Sequence, residues 1–264
     1  MRDDSVFKNK YPLFKAGRLL KIEMLNELRD YPRNFIDIIF KSYCDGIICG
    51  CDIDVKDEVL IVKRGIIKHN DIIYFLDEDI KIEYECNNRL MVLKIRFLNE
   101  KTSKDFIDNS TDIYLDENIE LKEDEIELCR FFLREGAHLR IHYTCFEDLS
   151  TEYDTVNVIY SLHSANDEAG LAPVILRSYG SEILRCSSIE PWDITFGTMC
   201  IQTKETIEKE IILDYLCYKL EIENRKYSNE DIYLFLLDIL KRERENAGGG
   251  NRHGRGGYKK ILID

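Results

Sequence analysis

The stretch from Asp45 to Leu76 limits what this chain can fold into more than any other. Cys51, Ile53 and Val55 alternate with Asp52, Asp54 and Lys56, a period of two that places the two sets on opposite faces of a strand. Lys56-Asp57 makes a first polar break, Leu60 and Val62 continue the alternation, and Gly65 interrupts the next apolar run. His69-Asn70-Asp71 makes a second break before Ile72 to Leu76. Short β-branched runs punctuated by Gly, Asn and Asp predict hairpins. The stretch carries no obvious nucleophile or base and reads as a rigid scaffold.

The flanking sequence extends this pattern. Residues 1–16 predict an extended arm, with Tyr11, Leu13 and Phe14 as apolar anchors for a neighbouring chain. Leu20, Met24 and Leu28 predict a helix over Gly17 to Arg29, ended by Pro32. Asn34 to Tyr43 fits helix or strand. Ile80, Ile82, Tyr84 and Cys86 alternate with charged residues, Asn87-Asn88 makes a turn, and Met91, Leu93, Ile95 and Phe97 predict the returning strand of a hairpin. Lys101 to Ser110 predicts an exposed loop or short helix, and strands are expected at Thr111 to Leu115 and Leu128 to Leu133.

The character changes near residue 145. Pro173 predicts the first turn of a helix reaching about Leu184. Ile207, Ile211, Tyr215 and Tyr218 mark another at helical spacing. Ser228, with Asp231 three residues on, predicts a capped N-terminus for a helix whose stripe is Ile232, Leu236 and Ile239. Gly248 to Gly250 is expected to stop it. The expected fold class is therefore α+β: a leading arm and helix (1–33), a β-rich domain (34–145), a small helical domain (146–245) and a flexible glycine-rich basic tail (246–264).

Several of these segments, taken in order, carry a resemblance. Asp45-Gly46-Ile47-Ile48-x-Gly50, the strand after it, Gly65-Ile66-Ile67 and Ile72-Ile73-Tyr74 resemble a module of phage tail-fibre and baseplate proteins. Together with Glu127 to Arg140 and Phe146 to Thr155, the chain resembles a baseplate-associated protein of clostridial contractile phage tails and of R-type bacteriocins such as diffocins. Proteins of this look are sometimes labelled helicase-like. The resemblance implies a structural, non-enzymatic role in assembling a baseplate or attaching receptor-binding fibres. It implies other baseplate subunits and the fibre protein as partners, and admits a homo-oligomer. The block Glu127 to Arg140 is implied to be a strand and turn leading to the second domain, not a site.

Charge narrows the alternatives. Fifty acidic residues against 37 basic ones give a formal net charge of −13, the wrong sign for a general nucleic-acid binder. No apolar run reaches the roughly 18 residues of a membrane span, and the first residues lack the apolar core of a signal peptide. The expectation is a chain made in the cytoplasm and released within a tail particle. Nine scattered cysteines fit a reduced compartment.

Cys44, Cys49 and Cys51 have the spacing C-x4-C-x-C, without the paired C-x-x-C or His cluster of a zinc site. Cys49 and Cys51 are expected on one strand face, as small buried hydrophobes. His138, His142 and Cys145 would ligate a metal only on a helix, and Arg134 to Ala137 reads as a turn. No Walker A loop, dinucleotide fingerprint, G-x-S-x-G or H-E-x-x-H occurs, which speaks against a helicase. A tail-associated cell-wall hydrolase would need a carboxylate pair, and none stands out among so many acids. Trp192, beside Pro191, reads as a helix-start packing residue. Neither a catalytic residue nor a cofactor or metal ligand is assigned. In the tail, Arg252, Arg255, Lys259 and Lys260 precede Ile261, Leu262 and Ile263, which would alternate along an extended strand. Those three residues, with Tyr11, Leu13 and Phe14, are the expected partner-binding positions.

Overall fold

The computed structural model describes residues 9–56, 58–186 and 189–249. The fold is α+β, with small antiparallel sheets preceding a group of helices. The chain forms two compact units, Met1–Tyr43 and Cys44–Asp264.

The first unit is dominated by α1 (Ile22–Ile39). This corrects the expectation that Pro32 ends the helix: Pro32 lies inside it. A helix tolerates proline where the one lost N–H bond and the bend it imposes are offset. Here the residues after it, Phe35, Ile36, Ile38 and Ile39, continue the apolar spacing of Leu25 and Leu28.

The second unit begins with β1 (Gly46–Gly50), β2 (Ile53–Lys56), β3 (Val59–Val62), β4 (Gly65–His69) and β5 (Ile72–Leu76). β4 pairs with β1 on one side and β5 on the other. The β4–β5 loop places Asn70 and Asp71 at φ 48° and 61°, the left-handed pair that a tight two-residue hairpin requires. β1 does not run on into β2. Gly50 sits opposite Gly65 in the β1–β4 register, and a Cβ on Gly65 would stand 2.4 Å from Cys51 Sγ and 2.5 Å from its backbone nitrogen. The chains touch there because neither residue has a side chain. Cys51, at φ 55°, then turns the chain into a second sheet, ordered β2-β3-β6 with β6 at Ile80–Glu83.

A third sheet is ordered β10-β7-β11: Thr111–Asp116, Leu90–Phe97 and Glu125–Phe132. The expected hairpin of residues 80–97 is therefore corrected: β6 pairs with β3, whereas β7 pairs with β10 and β11. The Asn87-Asn88 turn moves the chain between sheets, with Asn88 at φ 53° and its side chain accepting from the Glu135 amide at 3.0 Å. Residues 101–110 contain the exposed strands β8 (Lys101–Thr102) and β9 (Ile107–Asp108) rather than a helix or plain loop.

After a 3-10 turn (Glu147–Ser150) come α2 (Pro173–Ile183), α3 (Pro191–Gln202), α4 (Lys209–Leu220) and α5 (Asn229–Gly249). Pro173 and Pro191 open their helices. Glu190 and Asp193 form a reciprocal cap on α3. Ser228 and Asp231 do the same for α5, with Ser228 N–H donating to Asp231 Oδ2 at 3.0 Å and Asp231 N–H to Ser228 Oγ at 3.1 Å. The expected stripe Ile232, Leu236 and Ile239 is buried. One core joins the strands around Leu60, Leu93, Cys129 and Phe131. The other joins the helices around Phe146, Tyr179, Tyr215 and Leu236.

Candidate interaction surfaces

Within the first unit, α1 has no buried residue. Leu25, Leu28, Tyr31, Phe35, Ile38 and Ile39 recur three or four positions apart and are all exposed, so they form an uncovered apolar stripe along an 18-residue helix. An isolated helix of this length is marginal in water, because helices in proteins depend on burying such a face. Tyr11, Leu13 and Phe14 are also exposed, Tyr11 at 76%. Lys10 Nζ lies 3.0 Å from Glu27 Oε1, joining the arm to the helix. The structure thus brings the expected arm positions into one unit with a larger apolar surface. The sequence signal for this helix was Leu20, Met24 and Leu28, and Pro32 masked its continuation. Ile261, Leu262 and Ile263 lie outside the described residues.

A groove in the second unit is lined by Ile67, Tyr74, Leu76, Ile95, Phe97 and Ile113, with a volume of about 250 Å³. Two of its walls are β5 and β10, each the outermost strand of its sheet. His69 stacks on Phe97 with ring centres 4.0 Å apart, and Tyr74 packs on the same ring at 4.9 Å. No local sequence signal predicts this groove, since it depends on which strands become edges.

The buried charged side chains serve as internal ties. Lys94, 1% exposed, donates to Asp116 Oδ2 at 3.0 Å and to the Glu120 carbonyl at 2.7 Å, with Glu125 Oε2 at 3.6 Å. Burial by itself would raise the Glu125 carboxyl. Hydrogen bonds from Tyr114, the Lys122 amide and Arg96 outweigh it and hold the group down to about 2. Arg130 bonds Glu127 through both forks and lies 3.4 Å over the Tyr160 ring. Tyr160 donates to Glu230 on α5 at 2.7 Å. Arg140 holds Asp148, lowering its carboxyl below the usual range. Among the helices, Tyr215 donates to Asp193 at 2.7 Å, and Lys219 bridges Asp193 and Glu243 at 3.0 and 2.8 Å. Asp193 is fully enclosed there, so this network pins α3, α4 and α5 instead of facing a cleft.

The residues weighed for chemistry are dispersed. Cys49 is exposed while Cys51 is buried, which corrects the expectation of a shared strand face: β1 ends at Gly50, and the left-handed turn at Cys51 breaks the alternation. Burial pushes the Cys51 thiol up to about 12. His138 is exposed, and its nearest acid, Glu58, stands 3.7 Å away. Among the described residues no group of three or more His, Cys, Asp or Glu is placed to hold a metal. Trp192 opens α3, is half exposed and packs against Tyr218 at 5.3 Å. Among the described residues no helix is long and apolar enough to cross a membrane.

No protein-family profile matches the chain. No curated protein sequence matches it. Among solved structures, the chain is similar to TssK, with a TM-score of 0.40 and 7% identity over 91% of this chain and 72% of that one. It is also similar to a chain of the baseplate complex from the type VI secretion system, with a TM-score of 0.37 and 11% identity over 90% of this chain and 100% of that one. Neither score establishes a shared fold.

Proposed function

We propose that this chain is a non-enzymatic structural component of a contractile-tail baseplate, in a phage or an R-type bacteriocin. In that role it would join neighbouring baseplate subunits or attach receptor-binding fibres. The sequence resemblance over Asp45 to Tyr74, Glu127 to Arg140 and Phe146 to Thr155 supplies the particle. The observation that carries the mode of action is the uncovered apolar stripe of α1, beside exposed Tyr11, Leu13 and Phe14. Contiguous apolar surface of this kind marks an interaction site, and an amphipathic helix laid into a groove is a recurrent way of meeting it.

The test is the double variant Leu28→Asp/Phe35→Asp in a strain that makes the particle. Neither side chain is buried within the chain, so purified protein should keep its circular dichroism and melting temperature. Incorporation into particles should fall at least tenfold. Normal incorporation of the variant would remove α1 as the docking element. Nucleotide hydrolysis that co-purifies with the protein and is abolished by a point change within it would overturn the non-enzymatic reading.

A further inference from the structure

The groove between β5 and β10 is bounded by two open sheet edges. Among the described residues β5 pairs only with β4, and β10 only with β7. Among the described residues no backbone hydrogen bond reaches the outer side of either strand. Open edges of this kind are templates for a further strand. Between them lie Ile67, Tyr74, Ile95, Phe97 and Ile113, an apolar floor beneath unpaired backbone. Phe75 projects beside it and is 59% exposed.

We propose that residues 258–263 of this chain dock in this groove as an added strand. Their sequence is Tyr-Lys-Lys-Ile-Leu-Ile. In an extended conformation Ile261 and Ile263 point to one side and Leu262 to the other. Ile261 and Ile263 enter the apolar floor, and Leu262 covers the outer face where Phe75 stands. Main-chain pairing supplies affinity, and the alternate pockets supply selectivity. Charge fits as well. The groove includes Asp112, and Leu76 on its wall leads directly into exposed Asp77 and Glu78. The segment itself carries Lys259 and Lys260, and Arg252 and Arg255 precede it. Eleven residues, 250–260, lie between Gly249, the last described, and Ile261, and the twelve extended steps across them reach roughly 40 Å. This inference does not rest on the baseplate reading.

The experiment is hydrogen exchange on the full-length purified chain and on Ile261→Asp/Ile263→Asp. Amides of residues 72–76 and 111–116 should exchange at least tenfold faster in the variant, while those of the central strand β7 stay unchanged. Equal exchange at both edges would overturn the proposal. Trypsin gives a second reading on Phe75→Lys, an exposed position that the fold tolerates: cleavage after Lys259 and Lys260 should accelerate at least fivefold over the unchanged chain. No acceleration would count against docking. Protection independent of protein concentration assigns the groove to the same chain, and protection that grows with concentration assigns it to a second copy. Because only purified protein is used, a negative result leaves the particle-incorporation test of α1 standing.

Discussion

Glu125 and Lys94 are each 1% exposed, and one charge there is held by the other and by Asp116, Arg96 and Tyr114. Removing one member leaves the rest as uncompensated buried charge, so Glu125→Gln should lower unfolding free energy by about 3 kcal/mol. Its pH signature has a fixed sign. The folded carboxyl is depressed from 4.5 to about 2, so its contribution is full above the unfolded value and is lost as pH falls from about 4.5 towards 2. Urea titrations at stepped pH should show roughly 2–3 kcal/mol disappearing across that window. The glutamine variant should show a shallower acid limb; an unchanged limb would place the acid sensitivity elsewhere. The two neighbouring cysteines separate in the same way. Cys51→Ser buries a hydroxyl and should cost about 1–3 kcal/mol, whereas exposed Cys49→Ser should change the denaturation midpoint little. Sequence spacing alone treated these cysteines as equivalent, because the left-handed backbone at Cys51 is set by its contact with Gly65 across the sheet.

At the level of elements, what was legible followed how local the cause is. Helix starts were readable at Pro173 and Ser228, since a cap uses residues within one turn. Strands were readable from alternation at residues 53–56 and 91–97. Pairing was not: Ile80 to Glu83 turned to β3 and Leu90 to Phe97 to β10 and β11, because β3 and β7 are the central strands of their sheets and each takes two neighbours, at least one of them distant in sequence. The β1–β4 crossing shows the same dependence on distant residues. Gly65 reads in sequence as a break in an apolar run, yet its role is to let Cys49, Cys51 and its own backbone meet. Gly65→Ala forces backbone apart at both neighbours, and should destabilise the chain by more than about 2 kcal/mol. Thermal melts would show this as a clear drop. An unaffected melt would mean the crossing relaxes without cost.

Across the second unit, the sheets and the helices keep separate cores, but the residues between them belong to both. Ile47 N–H donates to the Leu162 carbonyl at 2.8 Å, and Ser164 N–H returns to the Ile47 carbonyl at 2.8 Å. Arg130 and Asn157 exchange backbone bonds at 2.9 and 2.8 Å. Val158 packs against both cores, and Tyr160 ties Arg130 on β11 to Glu230 on α5. The proposed division at residues 145 and 146 therefore falls just before a segment that neither half can release without losing backbone bonds. Loss of the helical core would leave the 157–164 segment unsupported, with its N–H and carbonyl partners on β1 and β11 exposed at once. The two halves should unfold together. Trp192, the single tryptophan, reports on α3, while the strand region of the circular dichroism spectrum reports on the sheets. Their urea transitions should coincide, as two-state behaviour demands. Val158→Asp, which puts a charge at the shared contact, should shift both midpoints by the same amount, corresponding to about 2 kcal/mol. A tryptophan transition that precedes the strand transition, or a variant that shifts only one of them, would show two independently stable domains.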